Sequence, residues 1–139
     1  MRILAETGSD MSKWPSCKHF ASWLGLCPGN KISGGKVLSS KTKPSANKAA
    51  QMLRMAANSL HHSKSTLGAY FRRMRSRLGA PKAITATAHK LAKIFYTMLR
   101  EGKGFKEIGQ AAYEERFKAR NLLSLQKRAK DFGYRLVAC

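Results

Sequence analysis

The most regular pattern in this sequence lies between residues 81 and 101. Apolar side chains recur there with the three- and four-residue spacing of one helix face: Ile84, Ala88, Leu91, Ala92, Phe95, Met98 and Leu99. Pro81 suits the first turn of a helix, and Gly102 and Gly104 end the pattern. A long helix that is apolar along one face needs other elements to cover that face. The pattern therefore predicts one long helix whose apolar face belongs to the core of a mainly α fold.

The same spacing predicts four further helices. They span about residues 17–25, 46–60, 64–78 and 110–132. Ser16 and Ser45 are the predicted N-caps of the first two helices, and Gly79 and Gly133 end the last two. The side chains predicted to face the core are Phe20, Trp23, Leu24, Ala49, Leu53, Ala56, Ala57, Leu60, Leu67, Tyr70, Phe71, Met74, Leu78, Tyr113, Phe117, Leu122, Leu125, Ala129 and Phe132, with Trp14 beside them. A chain of 139 residues then forms one domain with about five helices around one core.

Residues 25–45 form the longest irregular segment and are rich in Gly, Ser and Lys. A loop of this length within a compact domain is usually functional or disordered. We expect it after the first helix, with a small hairpin possible near Val37 and Leu38. A short terminal strand at 134–137 could instead pair with residues 36–38.

The charge of the chain is strongly unbalanced. Lys and Arg total 27 and Asp and Glu total 7, which gives a formal net charge of +20. Between Asp10 and Glu101 there are 17 Lys or Arg and no Asp or Glu. That stretch cannot assemble a carboxylate metal site or a carboxylate acid–base pair. The excess of cations indicates a polyanionic partner, most often nucleic acid.

One short motif combines a hydroxyl, two glycines and two lysines. It is Lys31-Ile32-Ser33-Gly34-Gly35-Lys36. Glycines let the backbone approach an anion closely, and the lysines supply positive charge on both sides. The spacing is neither that of a P-loop nor that of a nucleophile elbow. Three interpretations therefore stay open from the spacing alone: a tight turn with a solvated serine, a phosphate-binding loop, or a nucleophile at Ser33.

Two further groups of basic residues follow in the sequence. One group runs from the loop into the second helix, and the other lies on the third helix. Each group favours contacts with backbone phosphates. The alternative for the loop group is a merely flexible loop, and the alternative for the group on the third helix is a solvated surface. The nucleic-acid-binding set that the sequence predicts is Lys31, Gly34, Gly35, Lys36, Lys41, Lys43, Arg54, Arg72, Arg73, Arg75, Arg77 and Lys82.

The cysteines and histidines indicate no metal site on this chain. Cys17, Cys27 and Cys139 have neither disulfide-framework nor zinc-site spacing, so we expect reduced thiols, with the first two in packing roles. His89 is expected to be a half-buried hydrogen-bonding residue. No apolar run is long enough to span a membrane. We expect a cytoplasmic, nucleoid-associated protein, and the weaker alternative is a cationic helical protein that acts on anionic membranes.

Several stretches together resemble one family. They are DMSKWPS (residues 10–16), FASWLGLCPGN (20–30), SGGK (33–36), LRMAA (53–57), RR (72–73), GAPKAI (79–84), AHKL (88–91) and YEER (113–116). This combination resembles the C-terminal transposase domain of the prokaryotic insertion-sequence "one-ten" transposases, whose better-studied members are guided by a bridge RNA. The resemblance covers nearly the whole chain.

The resemblance implies a function and a division of labour. Family members carry an N-terminal RuvC-like domain with a DEDD carboxylate set that binds Mg²⁺, and their catalytic serine lies in the SG motif, which corresponds to Ser33. DNA, a guide RNA and further copies of the protein are the implied partners. The DEDD domain is absent from this sequence, and residues 1–10 resemble the end of a preceding helix-hairpin-helix region. We therefore expect a truncated transposase domain without a cofactor of its own, either contributing Ser33 to strand transfer or acting only as an inactive basic nucleic-acid-binding module.

Overall fold

The computed structural model describes residues 2–139. Within that range it contains α1 (Arg2–Thr7), α2 (Cys17–Trp23), α3 (Lys48–Ser59), α4 (Thr66–Leu78), α5 (Ala80–Glu101) and α6 (Gln110–Asp131). A 3₁₀ turn, Leu60–His62, follows α3. An antiparallel hairpin of β1 (Lys31–Ser33) and β2 (Lys36–Ser39) lies between α2 and α3. The prediction of a mainly α fold with a small hairpin is confirmed.

The predicted caps of α2 and α3 need correction. Asn47, not Ser45, caps α3, because its side-chain oxygen accepts a hydrogen bond from the amide of Ala50 at 3.2 Å. Ser45 supports this cap by accepting a bond from the Asn47 amide. Ser16 does occupy the N-cap position of α2, but its hydroxyl bonds to the His19 ring at 2.8 Å instead of to a backbone amide.

The long helix α5 lies at the centre of the fold. It packs against α2, α3 and α4, while α1 packs on α3. The main core cluster consists of Met11, Phe20, Leu24, Leu26, Ala49, Ala50, Leu53, Ala57, Ala88, Ala92 and Tyr96. Alanines on the facing sides of α3 and α5 let the two helices approach closely. The Tyr96 hydroxyl donates to the carbonyl of Trp14 at 2.7 Å and so fixes the segment before α2 on this helix.

Several predicted core positions are wrong. Trp23 is 45% exposed, although its ring packs on that of Trp14, and Leu78 and Met98 are also exposed. On α5 the buried set includes Thr87 and Tyr96, which the apolar stripe did not contain. Because three helices cover α5, its buried arc is wider than one apolar stripe.

The largest correction concerns the end of the chain. No residue of α6 is buried, and the predicted core residues Leu122, Leu125 and Phe132 are exposed. Helix α6 packs on α4 through its first half, where Tyr113 and Phe117 are half-buried. Residues 134–137 form no strand. The strand β2 pairs with β1, because a two-residue turn places β1 next to it.

Candidate nucleic-acid interface

A β-hairpin projects from the helical body. Beyond β1 and β2 the pairing continues to a bridge between Pro28 and Thr42, and the amide of Gly29 donates to the carbonyl of Lys41 at 2.9 Å. We call residues 28–42 the hairpin arm. All residues from 28 to 38 are exposed, on both faces of the hairpin. The arm is therefore held at its base and surrounded by solvent at its tip.

The tip of the arm brings together the serine and a lysine of the predicted motif. Gly34 and Gly35 have φ values of 55° and 74°, as a two-residue type I′ turn requires. Ser33 and Lys36 flank this turn as a cross-strand pair, so their side chains lie on the same face. A Cβ added at either glycine would have no atom within 4 Å. The turn is therefore open to an approaching anion, with a hydroxyl and an ammonium beside it.

A cleft separates the arm from the start of α5. Its volume is about 820 Å³, and its walls include Leu26, Val37 and Pro81. Lys41 from the arm and Lys82 from α5 both line it. Two of the predicted phosphate-binding lysines thus share one cleft, although 41 positions separate them in the sequence. Leu78, at the end of α4, also lines the cleft.

Other predicted phosphate-binding residues lie outside the hairpin turn and the cleft. Arg75 and Arg77 are exposed in the last turn of α4, where the helix dipole favours positive charge. Lys43 is exposed just beyond the arm, and Arg54 is half-buried on α3. Lys31 is the first residue of β1, and a bulge shifts the strand register between Lys31 and Ile32.

Arg72 is engaged inside the protein. Its Nη1 donates to the carbonyls of His61 and Ser63, at 3.1 and 2.7 Å, and its Nη2 donates to the side chain of Gln110 at 2.9 Å. Arg72 therefore ties the 3₁₀ turn and the start of α6 to α4. Its predicted contact with phosphate would compete with these three bonds.

Arg73 is also held by neighbouring side chains. Its guanidinium carbon lies 3.3 Å from the ring centroid of Phe117 and 5.0 Å from that of Tyr113, both on α6. On the next helix, the Nζ of Lys90 lies 4.0 Å from the ring centroid of Tyr70. Sequence reasoning assigned the aromatic residues to the core and did not single out Lys90. The helical spacing of Tyr70 and Arg73, and of Tyr113 and Phe117, was the available signal.

His89, Cys27 and Cys17 are in packing positions. The Nε2 of His89 lies 3.6 Å from the Sγ of Cys27. Burial lowers the pKa of His89 and raises the pKa of Cys27, so both side chains favour their neutral forms. Cys17 packs against the core. This agrees with the half-buried, hydrogen-bonding histidine that the sequence predicted.

The acidic residues do not form a metal site. Residues 2–139 contain no cluster of three or more His, Cys, Asp or Glu side chains that could hold an ion. Mg²⁺ is bound mainly through carboxylate and water oxygens. The resemblance assigns the Mg²⁺ site to the RuvC-like DEDD domain, and the described residues are not the carboxylate set that such a site requires. In the same range, no helix is long and apolar enough to cross a membrane.

The fold and the hairpin arm together define the class of protein. It is a strongly basic, mainly α domain with a projecting hairpin that carries a serine at its tip. The sequence model described as the transposase IS116/IS110/IS902 family matches residues 1–72, which is just over half of the chain. The chain belongs to this transposase family, and the resemblance found in the sequence motifs is confirmed. Its function lies in the transposition of an insertion-sequence element, which implies interaction with DNA. The chain matches no curated protein and no solved structure.

Proposed function

We propose that the hairpin arm carries Ser33 to a DNA phosphate, where this serine is the nucleophile of strand cleavage and transfer. The observation that carries the proposal is the tip of the arm. Ser33 is exposed beside an open two-glycine turn, and Lys36 stands opposite it on the same face. A phosphodiester has room to reach the serine oxygen there, and the lysine charge favours it.

The proposed reaction is a transesterification. The Ser33 oxygen attacks phosphorus, a serine–phosphate ester forms, and the bond from phosphorus to one sugar oxygen breaks. The departing sugar oxygen takes up a proton. The serine proton passes to a base on the carboxylate domain, because the region around the arm contains no carboxylate. Attack on the ester by another strand end would reverse the step and join the strands.

The surrounding cations hold the DNA in this proposal. Lys31 and Lys36 act at the arm, and Lys41 and Lys82 act in the cleft beside it. Lys43, Arg54, Arg75 and Arg77 extend the basic surface. On duplex DNA each neutralised phosphate contributes about −0.9 to the slope of log affinity against log salt. A salt-independent affinity would contradict this electrostatic role.

The experiment compares Ser33→Ala with Ser40→Ala, which removes another exposed hydroxyl of the arm. The chain is combined with a RuvC-like DEDD domain supplied in trans and a nicked DNA substrate that traps covalent products. We expect a protein–DNA adduct with wild type and Ser40→Ala and none with Ser33→Ala. DNA affinity should stay within about twofold for all three, because the charges are unchanged. An adduct with Ser33→Ala would rule out the proposed nucleophile.

A second candidate function is that of an inactive basic module that only binds nucleic acid. The formal net charge of +20 favours it, because a strong excess of cations suffices for binding nucleic acid without catalysis. It predicts DNA binding by the wild type but no adduct, even when the DEDD domain is supplied.

The guide RNA and a homo-oligomeric assembly belong to the intact transposase in our proposal. Co-purification of RNA and the molar mass in solution test these two partners.

A further inference from the structure

A second basic site lies where α4, α5 and α6 meet, apart from the hairpin arm. Tyr70 comes from α4, Lys90 from α5 and Tyr113 from α6. The Nζ of Lys90 lies 4.0 Å from the ring centroid of Tyr70 and 5.7 Å from that of Tyr113. We call these three residues and Arg73 the junction site. Three helices thus direct cations and phenol rings to one place.

Arg73 adds a fixed positive charge to the junction site. Stacking on Phe117 holds its guanidinium beside Tyr113, and its Nη1 is buried without a hydrogen-bond partner. A guanidinium stays charged at all ordinary pH values. Interaction with an aromatic face stabilises the guanidinium but leaves its net charge in place. The positive charge therefore remains without a neutralising partner.

The neighbouring groups do not supply a counter-ion. The ion pairs within residues 2–139 are Lys48 with Glu6 and Lys103 with Glu101, and neither involves the junction site. Burial lowers the pKa of Lys90, and the charge of Arg120 lowers it further. Burial also raises the pKa of Tyr70, which keeps its hydroxyl protonated as a donor. Lys90 and Arg73 are half-buried beside the phenol rings, and neither cation forms an ion pair with another described residue.

We propose that the junction site binds a phosphate group of the DNA strand. Lys90 supplies the charge that faces the anion, the hydroxyls of Tyr70 and Tyr113 donate hydrogen bonds, and Arg73 adds to the positive potential. Phosphate fits because it offers several acceptor oxygens to donors that converge from different helices. The choice of DNA as the source rests on the proposed function. The site would hold the DNA at a place independent of Ser33.

The test compares Lys90→Gln with Lys118→Gln. Both variants remove one positive charge, but Lys118 is exposed on α6 and outside the site. Affinity for a duplex oligonucleotide is measured by fluorescence anisotropy over a range of salt concentrations. We expect Lys90→Gln to weaken binding about tenfold and to reduce the salt slope by about 0.9, the share of one phosphate. Lys118→Gln should stay within about threefold of wild type.

A second variant separates binding from folding. The double variant Tyr70→Phe with Tyr113→Phe keeps both rings for packing and removes only the hydroxyl donors. It should unfold at the wild-type temperature and still bind DNA about threefold to tenfold more weakly. If either this double variant or Lys90→Gln binds DNA as Lys118→Gln does, the junction site is not the proposed phosphate site.

Inorganic phosphate distinguishes this inference from the proposed function. Phosphate should raise the melting temperature of the wild type above its value in chloride of equal ionic strength, and Lys90→Gln should abolish the difference. If the wild type does not bind DNA but inorganic phosphate still raises its melting temperature, the anion site is supported. DNA is then excluded as the source of the phosphate group. If it binds DNA and Lys90→Gln behaves as the control, only the junction site is overturned.

Discussion

Gly68 illustrates how the absence of a side chain permits a contact between two elements. It lies in the first turns of α4 and faces the 3₁₀ turn that follows α3. A Cβ at this position would lie 2.1 Å from the carbonyl oxygen of Ser63 and 3.0 Å from that of Leu60. Both neighbours are backbone atoms, so they cannot move aside as a flexible side chain would. The helix and the turn can pack at this distance because residue 68 is glycine.

We expect Gly68→Ala to lower the free energy of unfolding by about 1–3 kcal/mol, the usual cost of overpacking. At 2.1 Å from a backbone oxygen the overpacking cost lies at the upper end of this range, so it exceeds the gain of about 1 kcal/mol that alanine has over glycine within a helix. Urea unfolding followed by circular dichroism measures the change. Gly104→Ala is the control, because its Cβ would enter open space. A Gly68→Ala variant as stable as wild type would contradict the close approach.

Glu107 has a structural role that its position in the linker after α5 does not suggest. Its Oε1 accepts hydrogen bonds from the amide of Thr66, at 2.8 Å, and from the hydroxyl of the same residue. The amide of Gly109 donates to the same oxygen at 3.2 Å. These bonds place a carboxylate at the N-terminus of α4, and they lower the pKa of Glu107. The linker is thereby attached to the start of a distant helix.

Because the folded protein holds Glu107 at a lowered pKa, this carboxylate stabilises the fold above its unfolded pKa of about 4.3. The contribution is lost as the pH falls from that value through the folded pKa. We expect Glu107→Gln to cost about 0.3–1 kcal/mol at neutral pH and less than that in acid. Melting temperatures between pH 3 and pH 7 give the comparison. Glu115→Gln, an exposed acid on α6, should show no such pH-dependent difference.

At the scale of elements, α6 consists of two unlike halves. The first half packs on α4 through Tyr113 and Phe117, which hold Arg73 between the helices. The second half exposes Leu122, Leu123 and Leu125. Tertiary packing supplies most of the stability of helices in proteins. The two halves should therefore differ in their resistance to opening.

Phe117→Ala should release α6, since it removes the ring on which Arg73 stacks. We expect faster amide hydrogen exchange throughout residues 110–131, while exchange within α5 stays slow. In the wild type, residues 121–131 should already exchange faster than residues 110–120. Leu123→Ala is the matched control, because Leu123 is 66% exposed. Unchanged exchange in Phe117→Ala would show that α6 is held in another way.

At the scale of the whole molecule, charge works against the compact state. A net charge of +20 is spread over 139 residues, and the ion pairs within residues 2–139 are exposed and at the distance limit, 3.9 and 4.0 Å. Repulsion among like charges destabilises a compact chain. A bound polyanion would relieve this repulsion, which links the stability of the domain to its partner.

We therefore expect the melting temperature to rise between about 20 and 200 mM NaCl, because salt screens the repulsion. DNA affinity should fall over the same range as counterions compete. Differential scanning fluorimetry and anisotropy titrations on the same samples measure both trends. A melting temperature that falls with salt would show that attractive pairs outweigh the repulsion.

The sequence predicted where helices lie better than it predicted which of their side chains are buried. The stops at Gly79 and Gly102 follow from local backbone preferences, and the structure shows both glycines with positive φ at helix ends. The exposed faces of Trp23 and α6 did not follow, because an apolar stripe shows which face could be buried and not which partner covers it. In the candidate site, Ser33 and Lys36 are close in sequence and in space. Lys41 and Lys82, and Lys90 and Tyr113, meet only through the fold.

The amino-acid sequence alone determined the mainly helical class, the unbalanced charge and the family, because these depend on local spacing, on composition and on a contiguous motif. Only the tertiary structure decided that the serine motif forms the tip of a projecting arm, that Arg72 is engaged within the protein, and that Lys90 stands over Tyr70. The engagement of Arg72 and the position of Lys90 depend on contacts between residues far apart in the chain, and the exposure of the arm depends on which elements leave it uncovered. Such contacts are set by how helices pack, and that packing is not contained in any local pattern.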